Sequence, residues 1–177
     1  SLSVWQNSTL KITAQGGNGN VFATAGLQNN GTIIIDTPSK VELGGVTSGN
    51  GTLTILNNDG NVSFDDSYLN NGTLNLVNST LGTLATPITI AGGTINLQQN
   101  STLIANLYGE GSTINVDPAS TNTLYVNDRF SNSSGSLQNT VINGVSENTH
   151  FGILSGSSKP VSATYEANAD GSYKLTI

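Results

Sequence analysis

One histidine, His150, and one pair of adjacent acids, Asp65 and Asp66, are where an argument for catalysis in this chain would have to begin. A serine triad needs its histidine between an acid and an activated serine. No G-x-S-x-G segment marks such a serine, so His150 reads as a polar residue of the C-terminal region. Cleavage of a polysaccharide needs carboxylates grouped across the bond, with lysine or arginine as charge partner or base. Neighbouring strand residues point to opposite faces, so Asp65 and Asp66 cannot line one cleft without a bulge. Five basic residues in the whole chain supply such a site poorly. No hydrolase or lyase activity is expected.

Other chemistry is equally thin. "GGNGNVFA", Gly16 to Ala23, has the glycines of one calcium-binding nonapeptide but lacks its carboxylate. Calcium sites need charged oxygen ligands, so the segment reads as a turn, and no metal or cofactor is expected. Asn-x-Ser/Thr occurs at Asn7, Asn30, Asn50, Asn71, Asn78 and Asn100. These would be glycan acceptors in a eukaryotic secretory protein, but here a repeat generates them. Tyr68, Tyr108 and Tyr125 read as packing at coil edges rather than a sugar-binding stripe. Phe22, Phe64 and Phe130 read as core.

The repeat is the strongest signal. "NNGTLNL" at Asn70 returns as "NNGTIII" from Asn29, "GNGTLTI" from Gly49, "AGGTINL" from Ala91 and "GSTINV" from Gly111. Its threonines are Thr9, Thr32, Thr52, Thr73, Thr94 and Thr113, at spacings of 23, 20, 21, 21 and 19. After each comes apolar–x–apolar, the period-two pattern of a strand with one buried face. A second alternating pair follows in most repeats: Val41/Leu43, Val62/Phe64, Leu103/Ala105, Leu124/Val126. No helical periodicity intervenes. A unit of about 20 residues holding two or three short strands is one coil of a solenoid.

The fold predicted is therefore all-β: a right-handed parallel β-helix with ~20-residue coils. Leu10, Ile33, Leu53, Leu74, Ile95 and Ile114 would form one inward ladder, and Ile55, Leu76 and Leu97 point inward too. Asn30, Asn50 and Asn71 would sit at turns, able to take left-handed conformations and to bond along the stack, and the glycine after each would relieve positive φ. Outward positions include Thr54, Asn75, Asn96 and Asn115. They make a polar, nearly uncharged face, the candidate for lateral contact with a copy of the chain or a glycan.

After about Phe130 the phrase fades. "ATYEANADGSYKLTI" reads as a hairpin: Tyr165 in one strand, a turn through Asp170 and Gly171, and Tyr173, Leu175 and Ile177 on one face of the return. The expected division is 1–130 for the β-helix coils and 131–177 for a C-terminal cap of the same solenoid, closing its core and last edge. This cap is expected to be the stability nucleus.

Composition sets outer bounds. Only 9% of residues are charged and the net charge is −6, so no basic surface exists for nucleic acid. No apolar run is long enough to span a bilayer as a helix. The opening "SLSVWQNSTL" lacks the basic and apolar regions of a signal peptide, and the chain, without methionine, reads as a fragment of a longer protein. There is no cysteine, hence no disulfide and no thiolate site.

The coil phrase and the "ATYEANADGSYKLTI" ending together resemble the C-terminal part of a passenger domain of a Gram-negative type V autotransporter, with a pertactin-like ending. Tyr173 stands where the final strand often carries tryptophan. The resemblance implies a secreted shaft on the bacterial cell surface, supporting adhesion, autoaggregation or toxin delivery. It also implies an autochaperone-like cap and a linker helix and translocator barrel downstream. This segment would not itself insert into a membrane. Implied partners are a host-cell receptor, a glycan or a second copy. A carbohydrate-active β-helix enzyme and a trimeric phage tail-spike-like fibre are the alternative readings.

Overall fold

The structure is a computed structural model that describes residues 2–13, 21–23, 26–44, 47–64, 68–69, 71–108, 112–126, 140–154 and 164–176. Those residues form 21 strands and no helix. The strands stack into three sheets, two of nine strands and one of three. The architecture is a parallel β-solenoid, as the repeat predicts.

The threonine-led sheet carries the repeat. Its parallel strands are Thr9–Thr13, Thr32–Asp36, Thr52–Leu56, Thr73–Val77, Thr94–Gln98, Thr113–Val116 and Val141–Val145. The register is unbroken: Thr9, Thr32, Thr52, Thr73, Thr94 and Thr113 pair in sequence. One residue on, Leu10, Ile33, Leu53, Leu74, Ile95 and Ile114 form the inward ladder. Ile33 to Ile114 are essentially inaccessible, as are Ile55, Leu76 and Leu97. Leu10 and Ile12 are only partly buried against this core. Each buried aliphatic contributes about 1.5–3 kcal/mol, and a ladder couples these terms because each rung covers the next.

The stack runs past the boundary placed at residue 130. Val141–Val145 pairs in parallel with Thr113–Val116, matching Ile142 to Ile114 and Asn143 to Asn115. Thr149–Ile153 pairs in parallel with Asn122–Val126 in the second nine-stranded sheet. Segment 131–177 therefore includes strands of a further coil. The coil phrase faded because Val141 occupies the threonine position and the sequence offset to this strand is 28 rather than about 21.

The second apolar pair does not form one face. Val41–Leu43 and Val62–Phe64 belong, with Val21–Ala23, to the three-stranded sheet. Leu103/Ala105 and Leu124 lie in the second nine-stranded sheet. The short sheet ends where the next coil turns on itself at Thr83 and Thr86. One coil later, Thr102–Tyr108 is long enough to pair with both Thr80–Leu81 and Ile88–Ala91, merging two strands into one.

The corners hold two devices. Gly31, Gly51 and Gly72 do not have positive φ, contrary to the expectation for the glycine after each asparagine. They are glycine because coils touch there. A Cβ on Gly31 would collide with the carbonyl oxygens of Trp5 and Ser8, one on Gly51 with that of Gly31, and one on Gly72 with that of Gly51. Asn30, Asn50 and Asn71 sit at turns but are not left-handed, and Asn30 bonds along the stack, its Oδ1 accepting from the Asn50 backbone N–H (3.2 Å). The left-handed conformation falls instead on Asn7 and, at the corner following the threonine-led sheet, on Asn57, Asn78, Gln99 and Asn100. Gly72→Ala should lower stability by about 1–3 kcal/mol, since the clash is with backbone that cannot rotate away. An unchanged urea midpoint would show that the coils can separate there.

The other device is a buried polar column just beyond that left-handed corner. The Asn58 side-chain amide donates to the carbonyls of Thr37 (2.8 Å) and Ser39 (3.1 Å). The Asn58 amide N–H donates to Ser79 Oγ (3.1 Å), that of Ser79 to Ser101 Oγ (3.2 Å), and that of Ser101 to Asn122 Oδ1 (2.9 Å). Corner backbone is thus satisfied from coil to coil where water is excluded.

Candidate contact face

The outward positions of the threonine-led sheet include a polar column that starts at Thr54, beyond Ile34 of the preceding coil. The column is Thr54, Asn75, Asn96 and Asn115, in register. The Asn75 amide donates to Thr54 Oγ1 (3.2 Å), the Asn96 amide to Asn75 Oδ1 (2.8 Å), and the Asn115 amide to Asn96 Oδ1 (2.9 Å). The Asn143 amide then donates to Asn115 Oδ1 (3.0 Å). The amides are half-buried, and their bonds all run the same way, which holds them in one orientation. Each side-chain amide nitrogen keeps a second N–H, and each carbonyl a second lone pair, for a partner beyond the sheet.

Asn143 was not among the candidates, because the phrase that flags the column is lost in its coil. Flanking columns add Thr52, Thr73, Thr94 and Thr113 on one side and Leu56, Val77 and Gln98 on the other. From Thr52 to Asn115 none of these outward residues is charged. Charge appears at the ends: Lys11 faces Asp36 at 3.9 Å, and Lys174 faces Glu166 at 3.8 Å in the hairpin.

The C-terminal hairpin joins the same sheet. Thr164–Ala167 and Tyr173–Thr176 pair antiparallel, placing Tyr165 opposite Leu175 and Ala167 opposite Tyr173. Across the turn the Asn168 backbone N–H donates to the Ser172 carbonyl (2.8 Å), and the Ser172 backbone N–H to Asp170 Oδ1 (2.9 Å). The Ser172 hydroxyl and amide, both donating to the Asp170 carboxylate, hold its pKa below the ordinary value. Gly171 takes φ +86°. Tyr173 is nearly half exposed, whereas Leu175 is buried, so leucine, not the aromatic residue, carries the hairpin into the core.

The remaining candidates separate. His150 is exposed in Thr149–Ile153, opposite Thr123. Tyr125 lies against Gly152 of the next coil, where a Cβ would overlap its ring, which is coil packing. Phe64 is partly buried against the core. Asp65, Asp66, Phe130 and residues 16–20 of the glycine-rich segment lie outside the described residues. Asn78 and Asn100 of the Asn-x-Ser/Thr set are left-handed corner residues, and the Asn78 amide donates to Asn57 Oδ1 (2.9 Å), which is a structural role. Compared with protein families, with characterised proteins and with solved structures, the chain finds no match in any of the three.

Proposed function

We propose that this chain is a stretch of the extracellular β-helical shaft of an autotransporter passenger. In this reading it is displayed on a bacterial surface, performs no catalysis, and serves adhesion or autoaggregation through its Thr/Asn face. The observation that carries the reading is the amide column from Thr54 to Asn143, preorganised and free of charge. A surface meeting a copy of itself is destabilised by like charges brought opposite one another. An uncharged lattice of donors and acceptors avoids that cost and can exchange hydrogen bonds with a second copy or a host glycan. The hairpin covering the last coil and the lack of cysteine suit a chain that crosses an outer membrane unfolded and folds outside.

The test fuses the chain to an outer-membrane translocator and follows settling of the displaying cells. Replacing Asn75, Asn96 and Asn115 together with lysine should abolish settling while protease-accessible display and the circular dichroism of the purified chain stay unchanged. Settling that persists would exclude this face.

A further inference from the structure

Trp5 is the most exposed large hydrophobic side chain among the described residues, at 76%. It borders an open groove of about 760 Å³ lined by Ser3, Trp5, Gln6, Gln28, Asn30 and Asn50. Residues of successive coils line the groove. Ser3 is in register with Gln28 of the next coil, and the Asn50 amide N–H donates to Asn30 Oδ1 (3.2 Å) one coil further on. Three consecutive coils contribute, so the groove extends roughly 10 Å along the stack.

Its floor is fixed. The Ser8 backbone N–H donates to the Trp5 carbonyl (3.0 Å), and the Asn30 backbone N–H to the Val4 carbonyl (2.8 Å). Gly31 lies so close beneath that a Cβ would strike the Trp5 carbonyl oxygen.

We propose that this groove binds a short segment of a neutral saccharide chain. The lining residues supply one broad apolar ring, four carboxamides and one hydroxyl, with no charge. An indole face matches the C–H face of a sugar ring, and carboxamides both donate and accept, as sugar hydroxyls do. A protein partner would want further apolar area around the tryptophan, whereas here the ring is surrounded by amides. A phosphate or sulfate would want a cation, and none lines the groove. The proposal deepens the adhesive reading by naming a ligand class, yet stands apart from the Asn75–Asn115 face: cells can settle without this site, and the site can bind sugar without settling.

Trp5 is the only tryptophan in the chain, so its fluorescence reports the groove directly. The full chain is titrated with neutral gluco-, manno-, galacto- and N-acetylglucosamine oligosaccharides, with heparin as the charged comparison. At least one neutral oligosaccharide should give a saturable change in emission that high salt leaves intact. Gln6→Ala with Gln28→Ala keeps the fluorophore and should weaken that binding about ten-fold or more, while Trp5→Ala should abolish heat release in calorimetry. No saturable response to any neutral oligosaccharide from the folded chain would overturn the proposal. So would a response that survives the double variant, or one seen only with heparin and removed by salt.

Discussion

Leu74→Asp should unfold the middle of the stack. Leu74 has no accessible surface and sits between Leu53 and Ile95 in the ladder. Truncating a buried leucine costs about 2–5 kcal/mol through lost burial and the cavity left behind. A carboxylate there adds the cost of a buried charge without a partner, several kcal/mol more. Domains of this kind have about 5–15 kcal/mol in total, so the substitution takes most or all of it. Because each coil is buried only by its neighbours, the loss spreads to the coils of Leu53 and Ile95. Asn75→Asp is the control. It places the same charge one residue along, on the outward face, and keeps an acceptor for the Asn96 amide. Its effect should stay below about 1 kcal/mol. Urea unfolding followed by circular dichroism separates the two; equal midpoints would mean that the inward and outward columns are exchanged.

The contrast between those neighbouring residues was legible in the sequence because period two in a strand fixes the facing of every side chain once one is known. Threonine–apolar–polar returns in the coils from Thr52 to Asn115, so the ladder, the amide column and their register all followed. What did not follow depended on contacts between coils. Gly31, Gly51 and Gly72 mark close approach of one corner to the next, and a sequence cannot tell that need from a need for positive φ. Val41/Leu43 and Leu103/Ala105 have the same pattern yet lie in different sheets, because a self-closed turn at Thr83 and Thr86 interrupts the short one. The segment at Val141–Val145 reads as a strand run but not as a repeat of the coil, because a valine stands at the threonine position. The groove beside Trp5 was illegible for a related reason: its amides come from three coils, and only stacking brings Gln6, Gln28 and Asn50 to one tryptophan.

Removing residues 164–177 should lower the stability of the whole array and not of its last coil alone. The ladder that begins at Leu10 passes through Ile114 and Ile142 and ends on Leu175, which pairs antiparallel with Ile142 and is buried. Without the hairpin, Ile142 and Val145 lose their cover, and Leu175 takes with it about 1.5–3 kcal/mol of burial. The strand Val141–Val145 would also present a free edge, a template for pairing with other chains. The hairpin is suited to form early. Its strands are joined by a tight turn, so closing it costs little loop entropy, whereas each coil-to-coil pair spans about 20 residues or more. Once formed, it offers Tyr173–Thr176 as an edge for Val141–Val145, which in turn offers an edge for Thr113–Val116. The turn also gives a handle on pH. Asp170 has a lowered pKa through its bonds from Ser172, so its support is present above the ordinary carboxylate pKa and is lost as pH falls through the lowered folded value. Truncation should therefore lower the melting temperature, slow refolding and promote aggregation. In the intact chain the slowest-exchanging amides should lie in the C-terminal half. If the truncated chain keeps its melting temperature, or protection is greatest around Thr9 to Leu56, the stack is nucleated elsewhere and the hairpin is only a lid.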